Sequence, residues 1–304
     1  VGATNDPKQA FGNAEVIFVT VPANMMRKAG TTIFQYAGKD TYIGVVPGNG
    51  GGECAFRECI DRGNVFFGIE RVPAIARLVK KGHSVKSTGY RNELHVSALP
   101  FKNTEACCEL VEEIFDIPCK GIRGYLNLTM TPSNPILHTS RLRILFDNYT
   151  EGVKYNRIPM FYEEWDDKSS ELLFKCDDEV QEICRSLPEF DLSYVKSLKE
   201  YYESPTPELM SGKIRSINAF KGIKTPMVKV NNGYIPDLNS RYFIADFSYG
   251  LSIIKQIGDF ASVSIPNIKE ILLWYDKIAL RKEVFKFKEY GICSYKNFLD
   301  FYLQ

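Results

Sequence analysis

The chain has 304 residues, 44% of them hydrophobic and 25% charged, enough for a sizeable core and about two domains. Lys+Arg 38 against Asp+Glu 37 leaves a net charge of +1, which gives no electrostatic footprint for nucleic acid or an anionic membrane. No apolar run approaches the ~20 residues of a membrane span, no basic-then-apolar leader is read at the start, and a Cys/His metal site is not expected from 3 histidines and 8 cysteines without paired C-x-x-C spacing. The thiols are read as reduced, small and buried, as in a cytoplasmic protein.

In chain order, the β-branched run Ala14 to Ala23 predicts a strand buried on both faces that stops at Pro22. Met25 to Gly38 predicts a helix, and Thr41 to Val46 a second strand ending in Pro47-Gly48-Asn49-Gly50-Gly51-Gly52. Strand, helix, strand implies a doubly wound α/β sheet, where ligands bind at the carboxyl ends of the strands. Here those ends are Thr20 to Ala23 and Pro47 to Gly52. The glycine run lacks a following Gly-Lys-Ser/Thr and the G-x-G-x-x-G spacing, so it reads as backbone able to lie close to a ligand, or as a tight turn.

Glu53 to Asp61 reads as a helix, and Val65 to Glu70 as a strand closing on a carboxylate and Arg71-Val72-Pro73. Ser84 to Tyr90 and Glu93 to Leu99 read as a hairpin or meander that turns His95 to solvent, and Asn103 to Phe115 as an amphipathic helix. Cys119 to Tyr125 is the expected hinge, dividing the chain into residues 1–124 and 125–304. From Pro135 on helical periodicity dominates: a run from Arg141 to Tyr149, then Asp177 to Ser186, a helix begun at Ser193 and capped by Asp191 or Ser193, Leu209 to Phe220, Ser248 to Ile257, Ile265 to Lys277 and Tyr295 to Leu303.

Two stretches stand out. Ser133-Asn134-Pro135-Ile136-Leu137-His138-Thr139-Ser140 places a scarce histidine at the entrance to a helical run, a position for proton chemistry near neutral pH or for a packed, capping side chain. About a hundred residues later, Arg241 and Asp246 are separated by an aromatic and apolar spacer. A guanidinium fork suits a carboxylate, and an aspartate can hold an imidazole in one tautomer. A surface ion pair, with Asp246 capping the next helix, accounts for the same spacing.

Together these residues resemble the octopine/nopaline (opine) dehydrogenase family. The resemblance runs through Thr20-Val21-Pro22-Ala23, Val46-Pro47-Gly48-Asn49-Gly50-Gly51-Gly52, Glu70-Arg71-Val72-Pro73, Asn134-Pro135-Ile136-Leu137-His138, and Ser240-Arg241-Tyr242-Phe243 to Asp246 and Tyr249-Gly250-Leu251. It implies a Rossmann-type domain followed by an all-helical domain, and reductive condensation of an amino acid or larger amine with an α-keto acid such as pyruvate, using NAD or NADP. It further implies His138 as the acid/base, Asp246 as the residue that orients it, Arg241 on the substrate carboxylate, and Glu70 and Asn134 on the substrate side. Val21, Pro22, Ala23, Pro47 and Gly48 would line the cofactor. The family's opening strand, glycine fingerprint and ribose reader have no counterpart in these residues, so the sheet is expected to be N-terminally incomplete and the chain to start inside the cofactor domain. A homodimer is compatible with the aromatic-rich second half. Two other readings stay open: a non-catalytic binding or assembly protein that keeps the cleft, and a related dehydrogenase acting on a hydroxy acid or sugar phosphate.

Overall fold

The computed structural model describes residues 2–131, 133–279 and 284–304. By packing, the chain falls into two compact units. The first comprises Val1–Pro132, Glu189–Tyr194 and Lys288–Gln304; the second comprises Ser133–Pro188 and Val195–Phe287.

In the first unit a short helix α1 (Pro7–Phe11) leads into strand β1 (Val16–Val19), helix α2 (Met26–Tyr36) and strand β2 (Tyr42–Val45). Two short helices, α3 (Gly52–Ala55) and α4 (Arg57–Arg62), lead to β3 (Phe66–Ile69). These three strands are parallel, with Val19 beside Val45 and Val45 beside Gly68. They are the expected strands, and their near-continuous apolar character follows from burial on both faces of a Rossmann-type layer. The expected helix from Glu53 to Asp61 is broken at Phe56, which departs from helical geometry.

The next segment corrects the expected hairpin. Strand β4 (Ala74–Lys80) pairs with β5 (Ser84–Tyr90) in a separate two-stranded sheet, while β6 (Leu94–Leu99) joins the main sheet antiparallel to β3. After helix α5 (Thr104–Phe115), β7 (Cys119–Gly121) pairs parallel with β6. Cys119–Gly121, at the start of the expected hinge, is the fifth strand, in the order β1-β2-β3-β6-β7. Phe67, Ile69, Leu94, Val96, Ala98, Cys107 and Val111 pack in one core between sheet and α5, each large apolar side chain there contributing about 1.5–3 kcal/mol by burial. Helix α6 (Leu126–Met130) also belongs to this unit: Leu128 lies against Gly48, and Thr129 bonds to Glu53.

The second unit opens with helix α7 (Asn134–Leu145). It begins beside Pro135, from which helical periodicity is expected, and seven residues before the run from Arg141; Pro135 occupies the first turn, where a missing N–H costs nothing and the fixed φ is already helical. Helix α8 (Asp167–Arg185) is longer than expected at its polar N-terminal end, where Asp166 caps it by accepting from the Ser169 N–H. Helices α9 (Leu198–Tyr201, capped by Ser197) and α10 (Pro207–Ser216) follow. The helix expected from Ser193 is absent there; Asp191 instead accepts from Ser193 in a turn.

Strands β8 (Met227–Val230) and β9 (Gly233–Pro236) form a hairpin within this helical unit. Helix α11 (Arg241–Ala245), a π-helical turn over Asp246–Leu251, α12 (Ser252–Phe260) and α13 (Pro266–Ile278) complete it, and the last helix, α14 (Tyr295–Tyr302), belongs to the first unit. All eight cysteines are free, and no described helix is long and apolar enough to cross a membrane.

One buried carboxylate in α8 makes stability depend on pH. Asp177 accepts the Leu198 N–H at 2.7 Å, yet burial outweighs this bond and pushes its pKa up to about 7. A carboxyl raised above its unfolded value of about 3.9 is better tolerated protonated, so stability is highest below that pH and falls as pH rises through the folded value. Asp177→Asn keeps an acceptor and removes the ionisation. Urea titrations should show wild type weaker at pH ~8 than at pH ~5 by on the order of a few kcal/mol, with that difference flattened in the variant.

Candidate active site

His138 is nearly buried, with 7% of its side chain exposed, and both ring nitrogens are engaged. Nδ1 lies 2.8 Å from an Asp246 carboxylate oxygen, and Nε2 lies 2.7 Å from the Tyr162 hydroxyl. A carboxylate only accepts, so Nδ1 carries the proton and donates to Asp246. In the neutral imidazole Nε2 is then an acceptor for the Tyr162 O–H; in the cation it donates to the Tyr162 oxygen. The rings of Tyr242 and Phe161 lie 4.6 and 5.5 Å from the imidazole.

Local folding explains why these groups meet. Helix α7 packs along the π-helical turn, where Asp246 stands at the first position. A Cβ at Gly250 would come within 2.7 Å of Pro135 Cγ, so the close approach of the two elements requires glycine. The wider π turn breaks the i→i+4 spacing of the run from α11 to α12, as such turns do at functional sites. Asp246 thus lies inside one continuous helical run and bonds His138, which settles the capping alternative against it. Asn134 stands one turn before His138 on the same face of α7 and is exposed.

The other wall of the site is held by Arg141, 1% exposed and one turn after His138. Its guanidinium donates to the Phe161 carbonyl at 3.2 Å, to Asp166 at 2.8 Å, to Ser169 Oγ at 3.1 Å and to the Glu164 carbonyl. That fork fixes the Phe161 to Asp166 segment against α7 and so sets the Tyr162 hydroxyl on Nε2. Arg241 is exposed, its guanidinium 5.7 Å from the centre of the Tyr242 ring. Among the described residues no carboxylate pairs with it, Asp246 included, so the ion pair that the spacing allowed is not formed. A cavity of about 760 Å³ in the same unit is lined by Arg143, Asp147, Glu270 and Trp274, and contains none of these groups.

The remaining candidates lie in the first unit. Val46 N donates to Val19 O at 3.0 Å, which places Thr20 to Ala23 beside Pro47 to Gly50 beyond the carboxyl ends of β1 and β2. The second loop is pinned from within: Tyr125 donates to the Gly48 carbonyl at 2.8 Å, and the Gly48 N–H to Ile69 O at 2.7 Å. Behind it, Thr129 and Tyr302 donate to the buried Glu53 carboxyl at 2.7 and 2.6 Å, and burial raises that group above its ordinary pKa. Gly50 and Gly51 both have left-handed φ, 79° and 78°, so the loop presents backbone without side chains. Rigid, side-chain-poor backbone at adjacent strand ends fits part of a nicotinamide cofactor.

Glu70, at the end of β3, accepts from Arg71 Nε at 2.8 Å and from the Tyr194 hydroxyl at 2.9 Å. His95 Nδ1 is 3.6 Å from it. His95 is therefore not simply solvent-facing: it lies between Glu70 and Glu93 with its ring 5.4 Å from Tyr194. Among the described residues no group of histidine, cysteine and carboxylate side chains is arranged to hold a metal.

Residues 122–279, just over half of the chain, match the family described as NAD/NADP octopine/nopaline dehydrogenase, alpha-helical domain. The chain belongs to the octopine/nopaline dehydrogenase family. It is accordingly a nicotinamide-dependent oxidoreductase of the class acting on CH–NH groups. It is 27% identical over 292 residues to an uncharacterized protein, y4xO, of Sinorhizobium fredii, spanning 88% of this chain and 76% of that one. It is 23% identical over 290 residues to octopine dehydrogenase of Pecten maximus, spanning 89% and 71%. The fold is that of octopine dehydrogenase solved with NADH and pyruvate (TM-score 0.81, 21% identity, 97% of this chain and 80% of that one) and with NADH and L-arginine (0.77, 22%, 90% and 72%).

The family match contains Asn134, His138, Arg241 and Asp246, whereas Glu70 and the strand-end loops lie outside it. Tyr162, Arg141 and Glu53 were missed by sequence reasoning. For Tyr162 no local signal distinguishes it among 17 tyrosines. For Arg141 the signal was available: a cation three residues after the histidine, among Leu137, Leu142 and Ile144, falls in an apolar stretch.

Proposed function

We propose that the chain carries the catalytic acid/base and substrate-binding residues of an opine-type dehydrogenase. In the reaction, the amine of an amino acid or larger amine condenses with an α-keto acid; one NAD(P)H and one proton are consumed, and water is released. The observation that carries this reading is the Asp246–His138 pair at 2.8 Å, with the exposed cation Arg241 on the same helical run. Asp246 fixes the imidazole tautomer and stabilises its cationic form, leaving Nε2 as the nitrogen that exchanges a proton with the substrate oxygen. Arg241, stacked beside Tyr242, grips a carboxylate bidentately. Asn134, one turn from His138, hydrogen-bonds the substrate.

The nicotinamide, when bound, supplies the hydride. Val21, Pro22, Ala23 and Pro47 would hold part of that cofactor as accessible backbone at the ends of β1 and β2, with Gly48 buried behind them and its N–H and carbonyl taken up by Ile69 and Tyr125. Glu70, already held by Arg71 and Tyr194, would offer its remaining lone pairs to a cationic amine. The 8 unpaired cysteines suit a reducing compartment such as the cytoplasm.

The full-length protein should oxidise NADH or NADPH only when both an amine and a keto acid are present. Arg241→Met should then raise KM for the keto acid by ~10-fold or more, the loss of a charge-assisted bond of about 1.5–3 kcal/mol. Oxidation by keto acid alone would instead indicate a hydroxy-acid dehydrogenase, and absence of any NAD(P)H binding a non-catalytic protein.

A further inference from the structure

The β4–β5 hairpin of the first unit is bare. Its strands are exposed from Ile75 to Lys80 and from Ser84 to Ser87; Leu78 and Val85, opposite each other in its register, are 67% and 63% exposed. A two-stranded sheet on its own is marginal in water, and apolar side chains clustered in the open mark a contact surface. Its charge is one-sided. Arg77, Lys80, Lys81 and Lys86 lie on it, and no carboxylate occurs from Arg71 to Asn92. The chain as a whole carries only +1, so the compensating acid lies elsewhere in it.

Helix α5, in the same unit, carries the complement. Glu105, Glu109, Glu112 and Asp116, four, three and four residues apart, form one exposed acidic strip, with Glu113 beside it and no cation in the helix. Next to this strip Ala106, Leu110 and Ile114 recur every four residues; Ala106 and Ile114 are exposed and Leu110 is half-buried. An apolar row beside an acidic one thus matches an apolar pair among cations. Among the described residues, Lys80, Lys81, Lys86, Glu105, Glu109 and Glu113 enter no ion pair. The acidic strip is about 16 Å long by helical rise, and each hairpin strand of 7 residues about 23 Å, so one can lie along the other.

We propose that the β4–β5 hairpin of one copy docks on α5 of a second copy. Leu78 and Val85 cover the row of Ala106, Leu110 and Ile114, and the hairpin's cations face the glutamates. Reciprocal contacts about a two-fold axis close the assembly as a dimer. About 20 residues of each copy take part, the low end of a stable interface, so the dimer is weak and sensitive to salt. The inference is independent of the dehydrogenase reading, whose site residues it does not use.

Sedimentation velocity of the full-length protein should show a dimer at ~0.05 M salt that dissociates by ~0.5 M. Lys80→Glu with Lys81→Glu, or Glu109→Lys with Glu113→Lys, should each raise the dimer Kd by ~10-fold or more, because like charges then face each other. Mixing the two variants should restore dimers, since in a mixed pair each hairpin again meets an α5 of opposite charge. A chain carrying all four changes should dimerise as wild type does. A wild type that stays monomeric at low salt, a dimer indifferent to both reversals, or two monomeric variants that do not rescue each other would overturn the proposal. So would a monomer that binds phosphatidylserine–phosphatidylcholine vesicles through Lys80 and Lys81 with no effect of the glutamate changes, which would make the hairpin a lipid-facing arm.

Discussion

His138→Ala should lower kcat of the full-length protein by ~10²–10⁴-fold, the range that one positioned acid/base contributes. The expectation rests on geometry. Both imidazole nitrogens are committed within 2.8 Å, one to a carboxylate and one to a phenol, in a setting where 7% of the side chain meets solvent. Asp246→Asn separates orientation from proton transfer. The amide can present either an acceptor or a donor to Nδ1, so the tautomer is no longer fixed, and turnover should fall by ~10²-fold or more while KM for both substrates holds. If His138→Ala keeps near-normal turnover across pH 6–9, measured by NAD(P)H absorbance, the acid/base assignment is wrong. If only KM moves, His138 is a binding residue.

How far the sequence reached depends on where the information lay. The parallel strands were legible because a strand buried on both faces is written as an uninterrupted apolar run: Val16 to Val19, Tyr42 to Val45 and Phe66 to Ile69 all sit where the pattern put them. Helix α5 was legible from its apolar stripe. The β8–β9 hairpin was passed over although it carries a local signal, Asn232-Gly233 between Val228, Val230 and Tyr234, Ile235, with Asn232 at φ 62°. Helical periodicity on either side drowned it. The onset of helical periodicity at Pro135 was legible because proline at the first helical turn is a starter.

In the site, Asp246 and His138 were paired by sequence spacing and resemblance, and the contact between them depends on two features that no local pattern specifies: the π turn and the fit of Gly250 against Pro135. Tyr162 reaches Nε2 only through the tertiary clamp of Arg141, and hydrogen bonds between residues distant in sequence leave no periodic trace. Strand β7, at the start of the expected hinge, left no pattern for a related reason. A three-residue strand, β7, is too short to show alternation, and its identity comes from its neighbour β6.

Arg141→Ala should be the most destabilising single change in the second unit's site, costing about 3–5 kcal/mol, as expected when one partner of a buried ionic network is removed. The side chain is 1% exposed and satisfies two carbonyls, a hydroxyl and the Asp166 carboxylate. Burial presses the Arg141 pKa down while Asp166 opposes it. Burial also opposes ionisation of Asp166, but hydrogen bonds from Ser169 and the Arg141 guanidinium outweigh it and hold that carboxyl below its ordinary value. Asp166 therefore contributes stability above its unfolded value of about 3.9 that is lost as pH falls through the folded one. Arg141→Lys is not conservative here: one ammonium on a flexible stem cannot cover acceptors arranged for a planar fork, so it should retain only part of the stability. Asp166→Asn is the control, since that carboxylate is half-exposed at 50% and its loss leaves the carbonyl contacts of Arg141 in place. Urea unfolding should therefore rank wild type above Asp166→Asn, Arg141→Lys and then Arg141→Ala. Because the same fork sets the Tyr162 hydroxyl on Nε2 and so orients His138, turnover in folded Arg141→Lys should also fall. Wild-type turnover in a destabilised Arg141→Lys would show that the clamp serves stability alone.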